Sequence, residues 1–384
     1  MYPRKLKNPL EQDKSFFLFG ARGTGKSTWL KSQLQDSALF FDLLNSQTYL
    51  ELLSNPSRLE NKIPKDFQNW IVIDEIQKIP SLLDEVHRLI ENQSYKFVLT
   101  GSSARKLKTC KANMLAGRAY NYQMYPFLSS ELGDRFSLKY ALQYGMLPGV
   151  YADRVNEKDF LKSYLETYIR QEVIQEGLIR NLDSFARFLE AASFSQAQIL
   201  NTSEVARDAS VNRKTVEGYF DLLEDLLIAY RLPVFARRAK RKLINHSKFF
   251  FFDAGVFRSI RPSGPLDIED EILGPSLETL VLQELIALNS YLGLDYEIFY
   301  WRTANGQEVD FVLYGPRGLI AIEVKKSHQI KSSELKSLQL FQDDYPEAKL
   351  YFLYSGSGIE FHGSQSNINC LPFEKFFSEL EVML

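Results

Sequence analysis

Eight residues, Gly20-Ala21-Arg22-Gly23-Thr24-Gly25-Lys26-Ser27, match the pattern G-x-x-x-x-G-K-[ST] in full. Such a stretch constrains its surroundings, because it works only between a buried strand and a helix. Both neighbours are legible. The apolar run Phe16-Phe17-Leu18-Phe19 reads as a buried strand, and a helix is expected from Ser27 to Leu34. Glycines let the backbone bend so that successive N–H groups point into one concavity, a nest for phosphate oxygens. The helix N-terminus behind the nest adds partial positive charge. Lys26 is suited to the β- and γ-phosphates of ATP and the Ser27 hydroxyl to Mg²⁺, with Thr28 grouped among the nucleotide contacts. The bland alternative, a chance glycine-rich turn, loses ground to a second motif.

That motif is Trp70-Ile71-Val72-Ile73-Asp74-Glu75, a strand ending in two carboxylates. In a parallel α/β sheet the ligand lies beyond the carboxyl ends of the strands. Asp74 is therefore expected beside the Mg²⁺ held by Ser27, and Glu75 is placed to polarise an attacking water. A third strand, Lys96-Phe97-Val98-Leu99-Thr100-Gly101-Ser102-Ser103, ends in hydroxyls. Thr100 and Ser102 are candidates to sense a γ-phosphate, although Thr-Gly-Ser-Ser is also an ordinary turn. Ala38 to Phe41, ahead of Asp42, reads as another central strand. Ser81 to Glu91 carries Leu82, Leu83, Val86, Leu89 and Ile90 at helical spacing.

The chain has 384 residues, room for two or three domains, and its 45% hydrophobic and 24% charged content is that of a soluble globular protein. A formal net charge of -2 gives no global attraction to nucleic acid, so any such binding must use local patches. Two cysteines, Cys110 and Cys370, cannot build a disulfide framework, and four scattered histidines argue against zinc. No apolar run approaches a membrane span, and Met1-Tyr2-Pro3-Arg4-Lys5 lacks a signal-peptide core. A cytoplasmic location and no membrane partner are expected.

Residues 1–128 hold the alternating strand and helix pattern. Residues 129–183 look helical, either a lid over the nucleotide or a plain spacer. Residues 184–260 read as a winged helix-turn-helix. Thr202 is expected to cap one helix, a turn follows at Ala209-Ser210-Val211, and Asn212 is expected to cap a second. Leu227 to Leu232 and Lys248 to Phe252 then pair as strands of a wing. Between them lies a basic segment with Arg237, Arg238, Lys240, Arg241 and Lys242. With Arg213 and Lys214 at the start of the second helix, it offers phosphate contacts to DNA. A solvated hairpin tip and a packing-only module are the competing readings.

Residues 268–384 form a further α/β unit with strands around 296–300, 309–314, 319–324 and 349–354. Asp310 lies on one strand, and Glu323 and Lys325 lie two apart on the next, hence on one face. Pairing of these strands sets Asp310 beside Glu323, where carboxylates can hold Mg²⁺ and Lys325 can stabilise charge. Glu278 shares a helix face with Val281, Leu282 and Leu285, so it faces the sheet and needs a partner there. An ordinary surface Glu–Lys pair is the alternative.

Taken in order, these stretches, with the second motif running on through Ile76-Gln77-Lys78 and with Leu115-Ala116-Gly117-Arg118, Gly145-Met146-Leu147-Pro148 and Phe252-Asp253-Ala254-Gly255, resemble one family from end to end. It is that of prokaryotic AAA-plus ATPases joining a P-loop domain and helical lid to a winged helix and a C-terminal PD-(D/E)xK nuclease-like domain. The resemblance implies an α/β multidomain fold, with a P-loop NTPase parallel sheet and a restriction-endonuclease-like C-terminal unit. It also implies that Arg118 meets a γ-phosphate, in its own chain or a neighbour's, and that Glu278, Asp310, Glu323 and Lys325 correspond to the nuclease-type site. The chain departs from the wider nuclease pattern in having no proline before Asp310. The leading expectation is an ATP-hydrolysing switch that engages nucleic acid, with Lys26, Glu75, Thr100 and Arg118 catalytic. A Mg²⁺-dependent DNA nuclease gated by ATP, and a nucleotide-dependent scaffold for itself or a partner protein, are the alternatives.

Overall fold

The structure, a computed structural model, describes residues 2–103, 117–152, 156–169, 173–174, 181–237, 243, 246–265, 268–358, 360–361 and 367–384. The chain divides into two compact units. One is Leu6–Pro126 with Asp225–Ile228, and the other is Met1–Lys5, Phe127–Glu224 and Ala229–Leu384.

The smaller unit is a five-stranded sheet of β1 (Phe16–Phe19), β2 (Leu39–Asp42), β3 (Trp70–Asp74), β4 (Lys96–Gly101) and β5 (Tyr120–Gln123), in the order β2-β3-β4-β1-β5. Every pairing is parallel. Parallel sheets are covered on both faces, so their strands are continuously apolar; β3 is buried from Trp70 to Ile73. The Leu82–Gln93 helix presents Leu82, Leu83, Val86 and Leu89 to one face of the sheet, where they join Phe17, Ile71, Ile73, Phe97 and Leu99. That spacing is the amphipathic stripe expected from the sequence. Truncating one such leucine to alanine costs about 2–5 kcal/mol. Parallel pairing also brings the carboxyl ends of β1, β3 and β4 to one edge, with Phe19 level with Gly101.

In the larger unit, short helices run through Ser129–Leu132, Leu138–Tyr144, Pro148–Ala152 and Glu157–Ser163. A helical pair follows at Thr202–Asp208 and Arg213–Asp225. The first helix of this pair is capped by Asn201, whose side chain accepts from Glu204 N, and so begins at Thr202, one residue before the expected start. The second is capped as expected, with Asn212 Oδ1 accepting from Thr215 N at 2.9 Å. Beside them lies an antiparallel sheet of β6 (Gln198–Ile199), β7 (Ala229–Leu232) and β8 (Lys248–Phe251), in the order β6-β8-β7.

Strand β8 is buried along its whole length because both of its faces are covered. Phe249 packs edge-on to Phe220, 4.9 Å between ring centroids, and Phe220 in turn meets Phe188 at 4.9 Å. Phe250, on the opposite face, lies 6.0 Å from Phe311. Lys248 shares the Phe250 face by the period of two.

Phe311 belongs to a mixed six-stranded sheet formed by β9 (Glu297–Arg302), β10 (Glu308–Gly315), β11 (Gly318–Val324), β12 (Lys349–Tyr354), β13 (Glu360–Phe361) and β14 (Ile368–Pro372). Its order is β13-β14-β12-β11-β10-β9. The β9–β10–β11 and β13–β14 pairings are antiparallel, and β11–β12–β14 are parallel. The Glu269–Leu292 helix is long, yet among the described residues no helix is long and apolar enough to cross a membrane.

Within that helix Glu284 is buried. Its Oε1 accepts from Ser129 N at 2.5 Å, while Oε2 has no hydrogen-bond partner. Burial pushes its carboxyl up to about 8, against the opposing pull of the Ser129 N–H and with help from Glu131 and Glu381. A raised acid binds a proton in the native state that the unfolded chain has already lost. Stability contributed by this group is therefore present below the unfolded value and declines as pH rises towards 8. Glu284→Gln is expected to flatten the fall of Tm between pH 5 and 8 by several degrees. A pH profile of Tm unchanged by the substitution would show Glu284 to be charged in the native state.

Candidate functional site

The loop between β1 and the Lys26–Leu34 helix is shaped by its glycines. Gly23 and Gly25 have φ of 80° and 95°, a region L side chains rarely enter. A Cβ at Gly20 would overlap the carbonyl oxygen of Met124, so only glycine allows the chain to pass there. Thr24 is buried and its hydroxyl donates to Ala21 O at 2.8 Å, tightening the turn. Lys26 is also buried; its Nζ donates to Gly20 O at 2.7 Å and Ala21 O at 3.3 Å. The ammonium is thus held inside the loop it serves. Arg22 is partly exposed and Thr28 exposed.

Opposite the loop, Asp74 ends β3 and receives two hydroxyls. Ser27 Oγ donates to Asp74 Oδ2 at 2.7 Å, and Thr100 Oγ1 donates to Asp74 Oδ1. Thr100 Oγ1 also accepts from the Glu75 backbone N–H at 3.1 Å. Glu75 itself stands at φ 63°, an uncommon conformation for a residue with a side chain, and is followed by a single turn of 3₁₀ helix. Its Oε2 accepts from Gln77 Nε2 and, at 3.2 Å, from Ser102 Oγ, while Gln77 Nε2 reaches Ser102 Oγ at 3.0 Å. Gln77 was absent from the sequence-based set. It lies two residues past Glu75 inside the resembling stretch Ile71 to Lys78, where no role attaches to it from sequence, and the 3₁₀ turn swings it back.

Ser27, Asp74, Glu75 and Thr100 are therefore brought together with the loop. Arg118 is not. It precedes β5, whose first residue Tyr120 is paired with Phe16 at the start of β1, whereas the loop leaves the end of β1. Arg118 consequently lies at the edge of the sheet opposite the loop, with its Nε on Glu91 of the Leu82–Gln93 helix. Leu115 and Ala116 lie outside the described residues.

In the larger unit, Asp310 and Glu323 come to one face of β10 and β11 as expected. Lys325 Nζ donates to Glu323 Oε1 and lies 4.0 Å from Asp310 Oδ2. Asp310 Oδ2 also accepts from Val324 N at 2.9 Å. Glu278 faces this group, but the partner it finds is a side chain the sequence did not flag. Lys248 Nζ donates to Glu278 at 2.7 Å, Glu308 at 2.7 Å and Asp310 at 3.0 Å. Glu308 is further held by Arg302 at 2.6 Å. Burial disfavours charge on Lys248, yet the Glu278, Asp310 and Glu308 carboxylates outweigh it and hold the ammonium well above the ordinary lysine range. Burial acts against ionised Asp310 too, but Lys248, Lys325 and the Val324 N–H together keep it below the usual carboxylate value. Glu323 is pushed well up by burial and by neighbouring Asp310, and its Oε2 has no hydrogen-bond partner.

The expected set of Glu278, Asp310 and Glu323 around one divalent ion is thus not what the geometry presents. Two of the three carboxylates are drawn onto an ammonium. Among the described residues no group of three or more His, Cys, Asp or Glu side chains is placed to hold a metal. A lone lysine opening the run Phe249 to Phe252 was the available signal, since a buried lysine requires acidic partners.

Of the basic residues expected to meet DNA, Arg213 is exposed at the start of its helix and paired with Glu217 at 2.9 Å, and Lys214 is exposed beside it. Arg237 pairs with Glu297 and lies over the Tyr314 ring at 4.5 Å. Arg238, Lys240, Arg241 and Lys242 lie outside the described residues.

Residues 12–133 match a protein-family model described as an AAA domain. Residues 135–267 and 273–376 match two domains of unknown function, DUF8612 and DUF4143. The first match makes the N-terminal third similar to an AAA domain. An uncharacterized protein of Haemophilus influenzae is 22% identical over 375 residues, covering 89% of this chain and 90% of its own. An uncharacterized protein of Methanocaldococcus jannaschii is 22% identical over 413 residues, covering 97% and 90%. Among solved structures, the Aeropyrum pernix ORC1 protein in complex with DNA aligns at 13% identity and a TM-score of 0.26, over 64% of this chain and 86% of that one. Vibrio cholerae protein VC1899 aligns at 11% identity and 0.23, over 96% of both. Superpositions scoring this low assign no function.

Proposed function

We propose that this protein is an ATP-binding and ATP-hydrolysing switch of the AAA type that engages nucleic acid. The reading is carried by the 2.7 Å hydrogen bond from Ser27 Oγ to Asp74 Oδ2, which joins the start of the loop's helix to the end of β3. Oxygen donors so gathered, behind a glycine-shaped loop and a buried lysine, suit a nucleotide with its metal. Ser27 and Asp74 are the residues that would hold Mg²⁺, whose contribution when bound is to offset phosphate charge. Lys26 exchanges the Gly20 and Ala21 carbonyls for phosphate oxygens. Glu75 orients water and accepts its proton, steadied by Gln77 and Ser102, while Thr100 fixes both Asp74 and the Glu75 backbone. Residues 129–183 are read as a lid. The helical pair with β7 and β8 is read as a winged helix, and the mixed sheet as nuclease-like in fold.

Lys26→Ala is expected to abolish tight ATP binding in calorimetry. Glu75→Gln should bind ATP normally but hydrolyse it roughly two or more orders of magnitude more slowly, the scale of losing a general base. Unaltered affinity in the first, or wild-type turnover in the second, removes that residue from its role.

The position of Arg118 at the far edge of its own sheet favours action on a neighbouring copy. Specific ATPase activity should then rise with protein concentration and fall when Arg118→Ala protein is mixed in. A flat dependence across the range where oligomeric mass changes would rule this out.

Nucleic-acid contact is assigned to Arg213, Lys214 and the 237–242 segment. Neutralising Lys240, Arg241 and Lys242 should weaken DNA binding and lower the slope of log affinity against log salt by about 0.9 for each phosphate no longer neutralised. Equal slopes for both proteins would place the DNA-binding surface elsewhere.

A further inference from the structure

The carboxylates of the mixed sheet already hold a cation, and it is covalently part of the chain. Lys248 lies at the start of β8 and is buried to within 2% of its side-chain surface. An ammonium has three N–H donors. Here all three are used, on Glu278 at 2.7 Å, Glu308 at 2.7 Å and Asp310 at 3.0 Å. These residues come from two elements: Glu278 from the Glu269–Leu292 helix, and Glu308 and Asp310 from alternate positions of β10. The fourth carboxylate, Glu323, is 5% exposed, bonds Lys325 through Oε1 and leaves Oε2 without a hydrogen-bond partner. Mg²⁺ needs several oxygens at about 2.1 Å in near-octahedral array. Carboxylates closed around an ammonium, with none of them grouped as a metal ligand set, do not meet that need.

We propose that Lys248 is a resident cation standing where a divalent metal would otherwise be required, so that this module is metal-free and does not cut phosphodiesters. The ammonium neutralises carboxylates that would otherwise repel one another in a buried site. It does so only while β8 is seated on the mixed sheet through Phe250 and Phe311. Removing the ammonium leaves a buried acidic site with an unpartnered oxygen, which is what a divalent ion can use.

The test uses Mn²⁺ as probe on metal-stripped full-length protein carrying Asp74→Asn, so that the nucleotide loop does not compete. By electron paramagnetic resonance this parent should hold no Mn²⁺ that Asp310→Asn can remove. Adding Lys248→Met should lower Tm by roughly 10 °C, as expected for breaking a buried ion group. It should also create a Mn²⁺ site absent from the parent, with part of the Tm recovered on Mn²⁺ addition and the site abolished by Asp310→Asn. Lys248→Arg, which keeps a cation, should not gain Mn²⁺. The proposal is overturned if the parent binds Mn²⁺ through Asp310 or Glu323. It is equally overturned if the parent cuts plasmid DNA with Mg²⁺ in a manner abolished by Glu323→Gln, or if folded Lys248→Met gains no Mn²⁺. Should Lys248→Met fail to fold, the parent titration and the plasmid assay decide alone.

Discussion

Charge buried away from the surface governs the larger unit. Lys248, Asp310 and Glu323 are all nearly inaccessible, and an isolated ion in such a place is costly by several kcal/mol. The cost is bearable only because every charge there has an opposite one within reach: Lys248 for Glu278, Glu308 and Asp310, Lys325 for Glu323, Arg302 for Glu308. That requirement fixes geometry. The Glu269–Leu292 helix, strand β8 and strand β10 must meet at the ammonium, and the Phe250–Phe311 contact seals the same junction with apolar surface. The small antiparallel sheet and the mixed sheet therefore meet at this ionic group and the Phe250–Phe311 contact, and the chain leaving β7 adds backbone hydrogen bonds between Phe235 N and Tyr300 O and between Tyr300 N and Pro233 O.

In the smaller unit the governing constraint is the all-parallel sheet. Parallel strands end together, so the residues that follow β1, β3 and β4 are gathered at one edge whatever their separation in the chain. Glycine backbone conformations then open the loop, and three hydroxyls, from Ser27, Thr100 and Ser102, hold the two acidic side chains that end β3. The same geometry keeps Arg118 away, since it stands before a parallel strand rather than after one.

Much of this was legible beforehand where the signal is local. The loop pattern, the strand ending in Asp74-Glu75 and the stripe on the Leu82–Gln93 helix each follow from spacing within a few residues. The cap at Asn212 was visible for the same reason; that at Thr202 was misplaced by one because Asn201 beside it competes for the same N–H groups. Asp310 and Glu323 fell together because a short turn fixes the register of β10 and β11, with Phe311 opposite Ile322. Gln77 was visible within the second motif but carried no role, because only a turn of 3₁₀ helix aims it at Glu75.

The sequence by itself determined the chemistry on offer: a phosphate nest with its lysine and hydroxyl, strand-end carboxylates, and an acidic pair beside Lys325. These depend on chain direction and the periods of helix and strand, which are written in neighbouring residues. Only the tertiary structure decided what each group faces. Lys248 is separated by 62 residues from Asp310, and no local rule joins them. Their meeting is set by long-range packing, where a buried charge accepts whatever opposite charge the fold brings to it. For that reason Asp310, read in sequence beside Glu323 and Lys325 alone, is in the folded chain also held by Lys248, while Glu323 stays with Lys325.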